Sequence, residues 1–215
     1  MIITCIGHAK FLIELEDGTR IVTDPYDVTC GYPVVPMTAD TVLVSHGHHD
    51  HNAVETISGY PRVIDAPGEH TLSPGVTVTA IQADHDDAGG AKRGKTLLFL
   101  LQAEGLRVAH LGDLGHLPTA EQAAALAPVD VLMLPVGGHF TIDAPTAKAA
   151  AELLRARVIL PMHYRTAVNA GWPIQPAEAF TSLYEGVETV DLLRVTAGDL
   201  ACQPHVAVLE PQSLK

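Results

Sequence analysis

The chain has 215 residues, 13 Lys and Arg against 25 Asp and Glu, a formal charge of −12, and 12 His. With 47% hydrophobic and 18% charged residues it is neither a disordered tail nor a coiled coil, and its length suffices for one large core. No apolar run approaches the roughly 18 residues a membrane span needs, and the acidic balance speaks against nucleic acid, whose phosphates require Lys and Arg. The N-terminus lacks the basic and apolar segments of a secretory leader. Cys5, Cys30 and Cys202, scattered and without CxxC spacing, read as incidental thiols of a reducing cytosol. A cytoplasmic protein of one domain over residues 1–215 is expected, with no membrane or nucleic-acid partner.

The chain opens on strands at Ile2–Ile6, Phe11–Leu15 and Arg20–Thr23, the last two joined by an Asp17-Gly18 turn. Phe11, Ile13 and Leu15 alternate with Leu12, Glu14 and Glu16, the period of a strand with one buried face. Residues 27–40 read as loop, Thr41–Ser45 as a strand and Asn52–Ile57 as a short helix. Strands follow at Arg62–Ile64, Val76–Ala83, Thr96–Gln102 and Arg107–Leu111, with Asp86–Lys95 as one polar loop. Thr119 with Gln122 spells a capping box for a helix to about Ala127. Asp143 caps a second helix with Pro145 in its first turn. Strands at Val129–Val136 and Val158–Pro161, a helix at Ala177–Tyr184 and strands at Thr189–Val195 and Val206–Leu209 complete the pattern, which implies two sheets with helices outside.

The chemistry is concentrated in Ser45-His46-Gly47-His48-His49-Asp50-His51, an HxHxDH pattern directly after a strand. Neutral imidazole is the commonest ligand for zinc-like metals, and carboxylates complete such sets. Four ligands within six positions crowd one ion but can divide between two: His46 and His48 toward one, Asp50 and His51 toward the other.

The segment resembles the signature of the metallo-β-lactamase superfamily. Four further elements of that pattern occur in order at strand ends: Asp24, His85, Asp113 in Gly112-Asp113, and His163 in Pro161-Met162-His163-Tyr164. The resemblance implies a four-layer αββα sandwich, an α/β fold of two mixed sheets with helices on the outer faces. It implies one metal at His46, His48 and His85, a second at Asp50, His51 and His163, and Asp113 bridging both. Asp24 would orient the HxHxDH loop without binding metal. Two divalent ions roughly 3.5–4 Å apart can share a hydroxide and stabilise both attacking and leaving oxygens, which is hydrolase chemistry. Zinc is the expected metal, with manganese, iron and nickel as alternatives.

Further motifs are similar to the small metal-dependent hydrolases that include L-ascorbate-6-phosphate lactonase: Ile6-Gly7-His8-Ala9-Lys10-Phe11-Leu12-Ile13-Glu14, Pro67-Gly68-Glu69, His110 to His116, Pro135-Val136-Gly137-Gly138 and the segment around His163. The expected substrate is a small lactone, ester or phosphoester, and a homo-oligomer is compatible with this reading. Asp50, His8 or His139 is expected to handle protons or touch substrate, and His116 to support the site from behind. Lys92-Arg93-Gly94-Lys95, in a base-poor chain, reads either as a solvated hairpin tip or as a mobile lid holding an anionic group; Arg165 could serve the same end. His110 reads as a satisfied core histidine, His49 as solvent-facing or supporting, and His70 and His205 carry no role.

Three rivals remain. Di-iron reductases of this fold place Glu where the chain has His48. The tRNA-processing nucleases carry an RNA-holding arm or inserted domain that residues 113–163 do not accommodate. A non-catalytic metal-stabilised sensor or scaffold would not require every ligand.

Overall fold

Three antiparallel strands begin the chain in the computed structural model, which describes residues 1–200 and 205–215; Cys202 lies outside the described residues. They are β1 (Ile2–Gly7), β2 (Lys10–Glu14) and β3 (Arg20–Thr23). Asp17 closes the hairpin turn by accepting from Thr19 N at 2.8 Å, with Gly18 at φ 88°. β4 (Met37–Thr38) and β6 (Ile57–Ser58) form a separate two-stranded ribbon. Between and after them, β5 (Thr41–Leu43) and β7 (Arg62–Ile64) extend the first sheet in parallel. Where a helix was expected at Asn52–Ile57 there is one 3-10 turn, Val54–Thr56, with no side-chain cap.

The second sheet contains β8 (Gly68–Ser73), β9 (Val76–Asp84), β10 (Lys95–Ala103), β11 (Leu106–His110), β12 (Val131–Pro135), β13 (Val158–Met162), β14 (Glu188–Val190) and, beyond β15 (Leu193–Arg194), β16 (His205–Leu209). Its order is β14-β16-β13-β12-β11-β10-β9-β8, while β15 crosses to the first sheet, ordered β15-β1-β2-β3-β5-β7. Both sheets mix parallel and antiparallel pairs. Strand β10 is the pivot. Its continuous apolar run puts Leu97, Phe99 and Leu101 into the inter-sheet core with Ile3, Phe11 and Ile13, and Leu98 and Leu100 into the helical layer. Truncating Phe99 to alanine removes a side chain 1% exposed, at a cost of about 3–5 kcal/mol.

Helix α1 (Ala120–Leu126) carries the expected capping box, with both Thr119–Gln122 bonds formed. Helix α2 (Ala144–Leu153) is capped by Asp143, which accepts from Thr146 N at 3.0 Å, and it buries Ala147, Ala150 and Ala151. The third helix is one turn, α3 (Glu178–Thr181), shorter than the expected Ala177–Tyr184 and without a side-chain cap. These helices cover the outer face of the second sheet. Over the first sheet, Tyr26, Cys30, Tyr32 and Ile57 pack on Ile6, Leu12, Val22 and Val42. The outer layer there is built of loops and 3-10 turns. The fold is the expected α/β sandwich of two mixed sheets, with its α-helices gathered on one side.

Candidate metal centre

The catalytic candidates arise where strands end at one edge of the sandwich. His8 follows β1, Asp24 follows β3, the HxHxDH loop follows β5, His85 follows β9, Asp113 follows β11 and His163 follows β13. Loops leaving rigid strand ends converge there without giving up backbone pairing in the sheets. The backbone is forced at several of these points: His8, Asp24 and His163 stand at φ 54°, 37° and 54°, a region that costs a non-glycine residue energy and clusters at functional sites. Two glycines let neighbouring loops touch. A Cβ at Gly115 would lie 2.2 Å from Asp86 N, and one at Gly137 would lie 2.2 Å from the carbonyl oxygen of His163.

Asp24 builds the HxHxDH loop from beneath. Its carboxylate accepts from Ser45 N (2.7 Å), Ser45 Oγ (2.7 Å) and His51 Nδ1 (2.8 Å). Ser45 Oγ in turn lies 2.9 Å from His46 Nδ1. With both Nδ1 atoms held from behind, the Nε2 atoms of His46 and His51 face inward; that of His51 stands 3.3 Å from Asp113 and 3.5 Å from Asp50. Burial alone would raise the Asp24 pKa, yet the charge and hydrogen bond of His51 hold it below the ordinary value.

Asp113 is the centre of the constellation. Its carboxylate lies 3.2 Å from His163 Nε2, 3.3 Å from His85 Nε2 and 3.9 Å from His46 Nε2. The side chains sort into overlapping groups, each with its ligand atoms within 4.8 Å of one another: His46, His48 and His85; His46, His51 and Asp113; and His8, Asp50, His51 and His163. His51 Nε2, Asp113 Oδ1 and both ring nitrogens of His8 are buried without a hydrogen-bond partner. Buried polar atoms are rarely left so, and imidazole and carboxylate atoms converging on shared points fit divalent ions. Burial pushes His8 down to about 4 and His46 to about 3. His51 goes the other way: burial would lower it, but Asp113 and Asp24 raise it well above its ordinary value. Asp50 and Asp113 lie far below the carboxylate range, because the histidines around them outweigh the desolvation that would raise them. The structure thus brings together all seven expected ligands, and adds His8.

A cavity of about 670 Å³ opens over this cluster, with Asp50, His85, Asp113 and His163 in its floor. Phe140, Trp172 and Arg93 line its walls. The Trp172 and Phe140 rings are 6.3 Å apart, and the Arg93 guanidinium lies 5.6 Å from the Phe140 ring. Neither aromatic residue was expected here. The chain's one tryptophan, in Gly171-Trp172-Pro173, is the only local sign of such a wall.

Other expected residues go elsewhere. His8, with its side chain 0% exposed, lies behind the floor among the ligands and not on the cavity wall where substrate contact was expected. His139 and Lys92 line a second cavity of about 640 Å³, which shares only Arg93 and Phe140 with the first. His116 is there too, holding Leu117 O (2.7 Å) from Nδ1 and accepting from Asp84 N, next to His85, at 3.3 Å. Arg165 is exposed, lines neither cavity, and donates its backbone N–H to Gln175 O at 2.9 Å. His110 is satisfied on both nitrogens, by Ala9 O at 3.0 Å and Gly112 N at 3.1 Å.

The 86–95 loop is organised around one carboxylate. The Asp86 carboxylate accepts from Ala88 N (2.8 Å), Gly90 N (2.9 Å), Lys92 N (2.9 Å) and Arg93 N (2.8 Å). Desolvation would raise its pKa, but these four donors lower it far below the ordinary range. Lys92 is spent on Asp87 at 2.6 Å and Lys95 on Asp84. The loop is thus anchored on one carboxylate, and Arg93 is the residue of it that lines the cavity.

Comparison with known proteins agrees with this architecture. A family model described as "Beta-lactamase superfamily domain" matches residues 2–163. A UPF0173 metal-dependent hydrolase of Carboxydothermus hydrogenoformans is 32% identical over 208 residues, covering 83% of this chain and 88% of that protein. A solved structure from Thermotoga maritima, described as a candidate Zn-dependent hydrolase of the metallo-β-lactamase superfamily, is 38% identical with a TM-score of 0.81 over 97% of this chain and 98% of that one. Igni18, a metallo hydrolase from Ignicoccus hospitalis, shares the fold at 24% identity and a TM-score of 0.69, covering 98% of this chain and 95% of that one. The fold and the His/Asp cluster define a metal-dependent hydrolase of the metallo-β-lactamase superfamily. Within it the chain belongs to the UPF0173 metal-dependent hydrolases. Among the described residues no helix is long and apolar enough to cross a membrane.

Proposed function

We propose that the chain is a dinuclear hydrolase acting on a small lactone, ester or phosphoester that carries a negative charge. The observation that carries the reading is the convergence of His46, His51, His85 and His163 on Asp113, with His48 and Asp50 joining them on either side, under a 670 Å³ cavity. His46, His48 and His85 would hold one ion, Asp50, His51 and His163 the other, and Asp113 would touch both. When bound, two divalent ions at these residues would lower the pKa of a water and polarise a carbonyl or phosphoryl oxygen. Zinc is proposed from the nitrogen-rich ligand set and from the description of the Thermotoga maritima relative. The sequence resemblance to the L-ascorbate-6-phosphate lactonase group bears only on the substrate class.

The chain's own residues then divide the work. Asp24 fixes the inward orientation of His51 directly and of His46 through Ser45. Trp172 and Phe140 exclude water from the cavity and give the substrate's apolar part a surface. Arg93 is left without a carboxylate within salt-bridge distance among the described residues, in a chain of net charge −12. It would hold the substrate's anionic group by charge-assisted hydrogen bonds. Asp50, an ionised carboxylate whose side chain is 11% exposed at the cavity floor, would take a proton from the attacking water and pass it to the leaving group.

The test is metal analysis of protein expressed in metal-replete medium, joined to a hydrolysis screen over lactones, esters and phosphodiesters with and without a carboxylate or phosphate. Two ions per chain and preference for anionic members are expected. Arg93→Ala should raise KM about tenfold for an anionic substrate, a loss of about 1.4 kcal/mol, and leave its neutral analogue nearly unchanged. Fewer than one ion per chain would sink the dinuclear reading, and equal KM changes on both substrates would remove the role of Arg93.

A further inference from the structure

We infer that His8 is a protein ligand of the second metal position, so that this ion is held by three imidazoles and one carboxylate in addition to the bridging Asp113. The inference rests on the dinuclear reading and adds a residue from outside the HxHxDH pattern.

The argument begins with the backbone. A register shift between Cys5 and Gly7 interrupts the β1–β2 pairing, and Gly7 and His8 take φ 155° and 54°. That left-handed residue turns the His8 side chain inward, beneath the cluster. Its carbonyl accepts from His163 N at 3.3 Å, so the loops bearing the two histidines are tied together. Their ring centroids are 4.2 Å apart, and His8 lies 5.3 Å from the His51 ring. His8 Nε2 stands 3.3 Å from Asp50 Oδ2. The ligand atoms of His8, Asp50, His51 and His163 all lie within 4.8 Å of one another, against roughly 4.2 Å for atoms on opposite sides of one ion.

Two structural alternatives fit less well. A core histidine is satisfied at both nitrogens, as His110 is by Ala9 O and Gly112 N, two residues of neighbouring chain. His8 is fully buried, its Nδ1 has no partner, and its Nε2 meets only the Asp50 carboxylate at 3.3 Å, without a well-formed hydrogen bond. A substrate-touching histidine would face the cavity, yet Trp172 packs edge-on over His8 at 5.3 Å and His8 is absent from the cavity lining. A buried imidazole with free nitrogens beside a carboxylate and two other imidazoles is what a cation site requires. Its Nδ1 shares the unpartnered state of Nδ1 in His85 and His163, two of the expected ligands.

The test is nuclear magnetic resonance of the 15N-histidine-labelled protein loaded with two equivalents of 113Cd²⁺, reading scalar coupling from cadmium to ring nitrogens. Six coupled histidines are expected: His8, His46, His48, His51, His85 and His163. His8→Asn, chosen because asparagine tolerates a positive φ, should remove one coupled ring and raise the dissociation constant of one cadmium ion at least tenfold in equilibrium dialysis. The other ion should keep its affinity. Should His8→Asn fail to fold, the wild-type spectrum decides alone. Five coupled rings with His8 uncoupled would overturn the inference and leave the dinuclear site intact. Coupling confined to a single ion's ligands would overturn the dinuclear reading as well.

Discussion

The two halves of the cluster share Asp113 but differ in their setting. His46, His48 and His85 form the more open half, because His48 is exposed, although the side chains of His46 and His85 are buried. His8, Asp50, His51 and His163 are all buried, and His51 is braced from behind by Asp24. Burial and bracing hold ligands in place before a metal arrives, so the buried half should bind more tightly. Both halves reach the cavity, the first through His48 and His85 and the second through Asp50 and His163. A single loop, residues 46–51, serves both halves.

The largest break in this comparison comes at the shared residue. Asp113→Asn should lower hydrolysis at least about 10³-fold and drop metal content from two ions to one or none, as measured by kinetics with metal analysis. Next is the brace. Asp24→Ala strands Ser45 N, Ser45 Oγ and His51 Nδ1 in a fully buried place, and should destabilise the metal-free protein by about 3–5 kcal/mol in urea unfolding. In the milder Asp24→Asn, metal affinity should fall about 10–100-fold. His48→Ala sharpens the contrast from the other side. It should weaken only the open-half ion, with metal-free stability within about 0.5 kcal/mol of wild type because the side chain is exposed. A stability loss as large as that of Asp24→Ala would erase the distinction between the halves.

The two regions were unequally legible in the sequence. Two members of each half, His46 and His48 and then Asp50 and His51, lie in one hexapeptide, and the strand-end pattern points to Asp113, His85 and His163. His8 stands 38 positions before His46, and only the β1–β2 turn brings it under the cluster. Trp172 and Phe140 meet across the cavity through tertiary packing that no spacing encodes. In the fold, strands with apolar alternation and helices with caps were readable: Thr119–Gln122 and Asp143 mark their helices correctly. Strand β8 was missed because Gly68, Glu69, His70, Thr71 and Ser73 make a polar edge with no buried face. The expected Thr189–Val195 strand divides at Asp191, with β14 and β15 entering different sheets. Asp86 looked like one more loop carboxylate, since its four backbone donors appear only once the loop is folded.

The most direct measurement is anomalous diffraction at the metal absorption edge from crystals of the metal-replete protein. Two peaks are expected, one on each side of Asp113, the first among His46, His48 and His85 and the second among His8, Asp50, His51 and His163. Stepwise soaking in chelator should empty the first peak while the second persists. A single peak, or two that vanish together, would contradict a centre built from one open and one buried half.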